Sequence, residues 1–279
     1  MAQASSPAAK KFPVPKPLKQ HGPARIIAMC NQKGGVGKTT TTISVAGAMA
    51  EYGRRVLLVD FDPQGALSAG LGINAHEAEH TVYDLMLDRN LDPHKVIQKT
   101  KIENLDVIPA NIELSAAEMK LVNEIARENI LKNILRKVSG EYDLIMIDCQ
   151  PSLGLLTVNA LTAADGVIIP LACEFFALRG VAILEEIIKR VQEGLNVTLQ
   201  LDGVLATMYD PRTLHSREVF ERLQQAFGKK VFNTVINKTV KFPDSSVASE
   251  PITTFAPTSQ AAEAYRTVAR ELVSRGCAP

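Results

Sequence analysis

Seven short apolar runs recur along the chain, at 26–30, 56–60, 105–109, 144–148, 167–170, 201–207 and 231–236, and each closes on a turn signal or a polar residue. Unbroken runs of this length suit strands covered on both faces. Between them lie segments with helical spacing. Ile43, Ala46 and Ala50 repeat at intervals of three and four, and Gly53 follows as a helix-ending glycine. Val181, Leu184, Ile188 and Val191 mark a second helical face. Phe220, Leu223 and Phe227, ahead of Gly228, mark a third, and Ala261, Ala264, Val268 and Leu272 a last. Strand alternating with helix predicts an α/β fold: a mainly parallel, twisted sheet with helices on both faces and right-handed crossovers.

Composition sharpens this picture. Of 279 residues, 46% are hydrophobic and 22% charged, which suits a sizeable core and excludes wholesale disorder. No stretch of about 18 apolar residues is present, so no stable membrane insertion is expected. Residues 1–24 differ from the rest. They hold five prolines, with alanine, serine and lysine between them. Each proline fixes φ and removes a donor, so a disordered extension is expected over 1–24 and one domain over 25–279. The lysines there precede no apolar segment, which argues against a signal peptide.

The net charge of +1 conceals an asymmetry. Residues 1–25 carry five basic side chains and no acidic one, which leaves −4 on the remainder. A globally basic nucleic-acid-binding body is excluded, while a local patch is not. The four cysteines show no clustered spacing, so a zinc or iron–sulfur site is not expected and a reduced cytoplasmic setting fits. Tryptophan is absent and aromatics make up 5%, which disfavours stacking platforms for single strands.

The chemistry begins behind the first apolar run. Asn31 and Gln32 lead into Lys33, Gly34, Gly35, Val36, Gly37, Lys38, Thr39 and Thr40, and a helical pattern follows. A strand, a glycine loop and a helix are the setting of a phosphate-binding loop. The glycines let successive amides point inward as an anion nest, and the helix behind adds the positive end of its dipole. Lys38 is placed to reach the β- and γ-phosphates, and the Thr39 hydroxyl to ligate Mg²⁺. Gln32 stands where the ordinary pattern has its first glycine.

Two carboxylate positions accompany the loop. Asp60 and Asp62 close the second run, at the strand end where ligands of open α/β sheets bind. A carboxylate there can orient a water near the γ-phosphate. Further on, four apolar residues lead to Asp148, which can hold Mg²⁺ through a water.

The motif KGGVGKTT is the deviant Walker A form, and the chain resembles the ParA/MinD class of P-loop ATPases. The resemblance implies ATP and Mg²⁺, with hydrolysis to ADP and phosphate. It implies that Lys33 reaches across a dimer to the partner's nucleotide, and that Asp62 directs hydrolysis alongside Lys33 and Lys38. Asp60 is left to support either Lys33 or the metal. Resemblance to ParA and Soj partition proteins covers almost all of 25–275, including the segment from Gly203 to Thr213. It implies that Met208 and Asn237 contact nucleotide, and that Arg212 and Lys241 belong to a dimer surface binding double-stranded DNA without sequence preference. It also implies an ATP-dependent homodimer, a ParB-like partner and a nucleoid-associated cytoplasmic location.

Three departures and two alternatives accompany the resemblance. Gln150 replaces the first proline of the family's second switch. The family's Ile-Pro-Arg-Asn-Val-Arg reads Ile236-Asn237-Lys238-Thr239-Val240-Lys241 here, and two arginines have become lysines, which keep charge but lose the bidentate fork. These changes leave open an orphan ParA-like protein acting in cell division. A MinD-like membrane-associated positioning ATPase needs a basic amphipathic C-terminal helix. The helix expected over 259–275 has a small-residue face instead, suited to packing on the body.

Overall fold

The structure, a computed structural model, describes residues 12–174 and 177–279, with backbone only for 177–179. Its strands form one sheet: β1 (Arg25–Met29), β2 (Val56–Phe61), β3 (Gln98–Lys99), β4 (Leu105–Ile108), β5 (Leu144–Cys149), β6 (Gly166–Ala172) and β7 (Gln200–Thr207). Their spatial order is β3-β4-β2-β5-β1-β6-β7. All pairings are parallel except β3 against β4. The expected α/β architecture is therefore present. The edge strand β3, two residues long, is too short to leave a pattern in the sequence.

Alternation along the strands feeds two cores. Ile27, Met29, Leu58 and Met146 face one side, under the helices Lys38–Glu51 and Gln260–Ser274. Ile26, Ala28, Val59 and Ile147 face the other, under Leu155–Ala163 and Ala177–Gly194. Burial on both faces explains why the strands read as continuous apolar runs.

Helix Lys38–Glu51 is buried almost all round, not along one stripe. It is wedged between the sheet and the C-terminal elements. At Gly47 a Cβ would lie 2.9 Å from both Pro251 Cβ and Thr253 Oγ1, so only glycine permits that approach. The C-terminal helix buries Ala262, Tyr265, Val268, Ala269 and Leu272, whereas Ala261 and Ala264 are only half-buried. Its inward face is thus rotated from the one the spacing suggests. It packs on the body, as its small-residue composition implies.

The run at 231–236 is not a strand. Two isolated parallel bridges, Val204 to Val231 and Tyr209 to Asn237, and the Ile236 amide on Ala206 O at 2.9 Å join this segment to β7 and its continuation without forming a ladder. The reason is a competing acceptor. Buried Glu271 takes the Asn233 amide at 2.8 Å and the Thr234 amide at 3.1 Å, donors that a ladder would need.

Residues 1–11 of the N-terminal extension lie outside the described residues. Residues 12–24 form no helix or strand. The end of the extension is nevertheless pinned. The Ala24 amide donates to Ser139 O at 2.7 Å, the Gly22 amide to Asp143 Oδ1 at 2.9 Å, and His21 Nδ1 lies 2.8 Å from Asp143 Oδ2.

Candidate nucleotide site

Central β5 lies between β1 and β2, so three chain segments meet at the C-terminal end of the sheet. In register, Asp148 stands beside Met29 of β1 and beside Asp60 of β2. The loop after β1 then carries the glycines. Gly35 and Gly37 have φ of 72° and 84°, left-handed values that glycine adopts freely. Gly37 ends the loop as the N-cap of helix Lys38–Glu51 and supplies no side-chain cap. The first amides of that helix are therefore free for an anion.

The loop is braced from outside. Asn31 Nδ2 donates to Pro170 O at 2.7 Å, and Asn31 Oδ1 accepts the Lys33 amide at 2.9 Å. The Thr207 hydroxyl donates to Val36 O at 2.8 Å. Neither brace is legible in the chain; nothing in the sequence near the loop marks Thr207 as its neighbour.

Lys38 is buried, and its Nζ donates to Lys33 O at 3.2 Å across the loop. The Thr39 hydroxyl donates to Asp148 Oδ2 at 2.6 Å. Thr42, which the motif does not single out, donates to Asp148 Oδ1 at 3.3 Å and to Lys38 O at 3.0 Å. Burial pushes Asp148 up to about 7, aided by the neighbouring charges of Asp60 and Asp62 and opposed by the Thr39 hydrogen bond and Lys38. A bound cation would favour the ionised form of such a carboxylate.

The fit to a magnesium nucleotide can be tested on the loop itself. A Cβ built at Gly34, Gly35 or Gly37 meets no atom within 4 Å, so the cradle stands open. Beside it runs a cavity of about 320 Å³, lined among others by Gly37, Thr40, Met208, Asn237, Phe242 and Tyr265. Thus Met208 and Asn237, far from the loop in sequence, are brought next to it. Met208 holds a left-handed φ of 50°, unusual for a side chain of its size. A cradle of amides with a cavity beside it suits phosphates and a base. Thr39 and Asp148 would hold the metal.

The two aspartates after β2 separate in role. Asp60 is fully buried and accepts from the Ser68 amide at 2.8 Å and the Ser68 hydroxyl at 2.7 Å. Burial raises it to about 6, against those hydrogen bonds. Through these bonds Asp60 anchors the turn after β2. Asp62 is half-exposed, one residue beyond the strand; its carboxylate accepts the Gln64 amide at 3.0 Å and its carbonyl the Gly65 amide at 2.9 Å.

Lys33 is exposed, and its Nζ is ion-paired with Glu174 of the same chain. Arg212 is 87% exposed, but its guanidinium fork already grips Asp210 at 2.9 and 2.8 Å. Arg212, Lys238 and Lys241 share a cavity of about 530 Å³ on the outer side of 236–239.

Fold and loop together define a P-loop nucleotide-binding α/β protein. The family described as AAA domain matches residues 24–201. An uncharacterized protein of Mycobacterium tuberculosis is 55% identical over 95% of this chain and 84% of its own length. The sporulation initiation inhibitor protein Soj of Bacillus subtilis is 47% identical over 90% of this chain and 99% of its own. A crystal structure of cobyrinic acid a,c-diamide synthase from Mycobacterium smegmatis, with bound ADP and magnesium, superposes with a TM-score of 0.80. It is 40% identical, over 91% of this chain and 95% of that one. The chain belongs to the AAA domain family, among the relatives of a chromosome-partitioning ATPase Soj and of ParA chromosome partitioning proteins. The resemblance carried by KGGVGKTT is borne out.

Proposed function

We propose that this chain is an ATP-hydrolysing, dimerising switch of the ParA type that binds DNA non-specifically in its ATP state and acts in chromosome or plasmid segregation. The carrying observation is the open glycine cradle backed by Lys38 and by Thr39 on Asp148. The relatives named for chromosome partitioning, from Treponema pallidum and Caulobacter vibrioides, match over 98% and 95% of their own length, which supports the biological setting.

In this reading the amides of 34–39 and the Lys38 ammonium cradle the phosphates of ATP. Thr39 and Asp148 would hold Mg²⁺, which would supply positive charge against the phosphates. Asp62, half-exposed at the strand end, orients the attacking water. Lys33 leaves Glu174 and reaches the partner's nucleotide, coupling occupancy to association as an arginine finger would. Arg212 and Lys241 of both protomers then face DNA, and phosphate contacts suffice there. A ParB-like partner stimulates hydrolysis and returns the chain to the monomer.

The C-terminal helix favours DNA over a membrane surface. Its apolar side is committed to the body, so it offers no insertable face. Among the described residues no helix is long and apolar enough to cross a membrane.

Asp62→Ala tests the reading. The variant should accumulate as an ATP-bound dimer by light scattering and co-sediment with plasmid of arbitrary sequence, but not with liposomes. A variant that stays monomeric with saturating ATP would sink the mechanism.

A further inference from the structure

Glu118 sits in the helix Leu114–Lys120, in a part of the chain that the nucleotide site does not use. Its Oε1 accepts the Leu156 amide at 3.1 Å and Gln150 Nε2 at 3.3 Å. These partners are the first residue of the segment 150–154, which begins two residues after Asp148, and the second residue beyond its end. Leu156 is the second residue of helix Leu155–Ala163, whose N-cap, Gly154, has no side chain to satisfy the free amides. A carboxylate there meets an orphan donor and the positive end of the helix dipole together.

Gly154 shows how closely the two are fitted. A Cβ at that position would lie 2.3 Å from Glu118 Oε1 and 2.9 Å from Oε2. Within the segment, the Thr157 hydroxyl donates to Ser152 O at 2.7 Å. Pro151, Ser152 and Leu153 then form one wall of a cavity of about 680 Å³, and Asn31, Gln32 and Lys33 line the same cavity. The wall therefore faces the start of the phosphate loop.

We infer that Glu118 is a positioning residue: one carboxylate fastens both ends of 150–154 and so sets that wall against the phosphate loop. Where the resemblance expects a proline to stiffen the backbone, this chain has Gln150, whose amide reaches Glu118 instead. A side-chain tie replaces a ring constraint. The inference deepens the ATPase reading and rests on it for its effect on turnover.

Four variants test it: Glu118→Ala, Glu118→Gln, Gly154→Ala and the double variant that joins Glu118→Ala to Gly154→Ala. Glu118→Ala should speed amide hydrogen exchange at 152–156. It should lower kcat for ATP about ten- to a hundredfold, the scale of a small misplacement far from the chemistry. Affinity for a fluorescent ATP analogue and the melting temperature should barely move. Glu118→Gln keeps an acceptor for the Leu156 amide and should recover most of the turnover. Gly154→Ala displaces the carboxylate without removing it, so it should copy Glu118→Ala, and the double variant should be no worse than either. Unchanged exchange and kcat in Glu118→Ala would overturn the inference, as would additive losses in the double variant. A wild-type chain without ATP turnover would instead defeat the ATPase reading, and the exchange experiment would still decide whether Glu118 holds the segment.

Discussion

The Thr39 hydroxyl donates to Asp148 Oδ2 at 2.6 Å across a separation of 109 residues. The pairing of β1 with β5 makes that meeting possible, because it sets the end of one strand against the end of the other. In the magnesium-bound state both oxygens would turn to the metal. Asp148→Asn keeps an acceptor for the hydroxyl but removes the charge. It should cut the enhancement of nucleotide affinity by Mg²⁺ about 10- to 100-fold, the range seen when a metal's supporting groups are lost. Calorimetric titration with and without Mg²⁺ reads this directly, and an unaltered enhancement would contradict the metal assignment.

Glu271 is a heavily used buried acid in the C-terminal half. It accepts from the amides and side chains of Asn233 and Thr234 and pairs with Arg275, whose Nε lies 3.0 Å away. Removing one partner from a buried network strands the others. Glu271→Ala should cost about 3–5 kcal/mol in urea unfolding. A loss below about 1 kcal/mol would show that water replaces the carboxylate freely.

Asp143 ties the extension to the body. Its burial would raise the carboxyl pKa, but hydrogen bonds from His21 and from the amides of Arg55 and Gly22 outweigh that and hold it below the usual range. A depressed carboxylate stabilises the fold above its unfolded pKa of about 3.9, and that contribution is lost as pH falls through the folded value. Asp143→Ala should flatten the acid limb of the stability curve below about pH 4 and cost about 1–3 kcal/mol at neutral pH from stranded amides. Urea melts across pH 3–7 check both, and an unchanged acid limb would refute the linkage.

The exposed cations near 212–241 give a salt-dependence prediction. Arg212→Ala or Lys241→Ala should weaken DNA binding about equally for all sequences and lower the salt slope by about one for each phosphate left without its cation. Arg212 must first release Asp210, whose carboxyl is held down to about 2 by the Arg212 hydrogen bonds. Asp210→Asn should therefore strengthen binding where Arg212→Ala weakens it. Filter binding over a salt series distinguishes this from a surface that never meets DNA, for which neither variant changes anything.

Six of the seven strands are legible because burial on both faces writes an uninterrupted apolar run. The remaining run, at 231–236, has the same apolar signature but spends the Asn233 and Thr234 amides on Glu271, 38 and 37 residues away. No local pattern carries that competition. The phosphate loop is legible for a different reason: its conformation needs glycines at fixed offsets, and its ligand contacts come from consecutive residues. The inward face of the C-terminal helix is not, because alanines repeat at several spacings and the elements packed against it, helix Lys38–Glu51 among them, select which of them turn inward.

What the sequence determined by itself is thus local: the glycine bend, the lysine and threonine behind it, and the apolar strands that must be covered on both sides. Tertiary structure alone decided that Asp60 holds Ser68, that Thr207 and Asn31 brace the loop, and that Glu118 reaches the start of a distant helix. Those choices depend on strand order and register, which place residues far apart in the chain within a hydrogen bond of each other, and no periodicity along the chain records that distance.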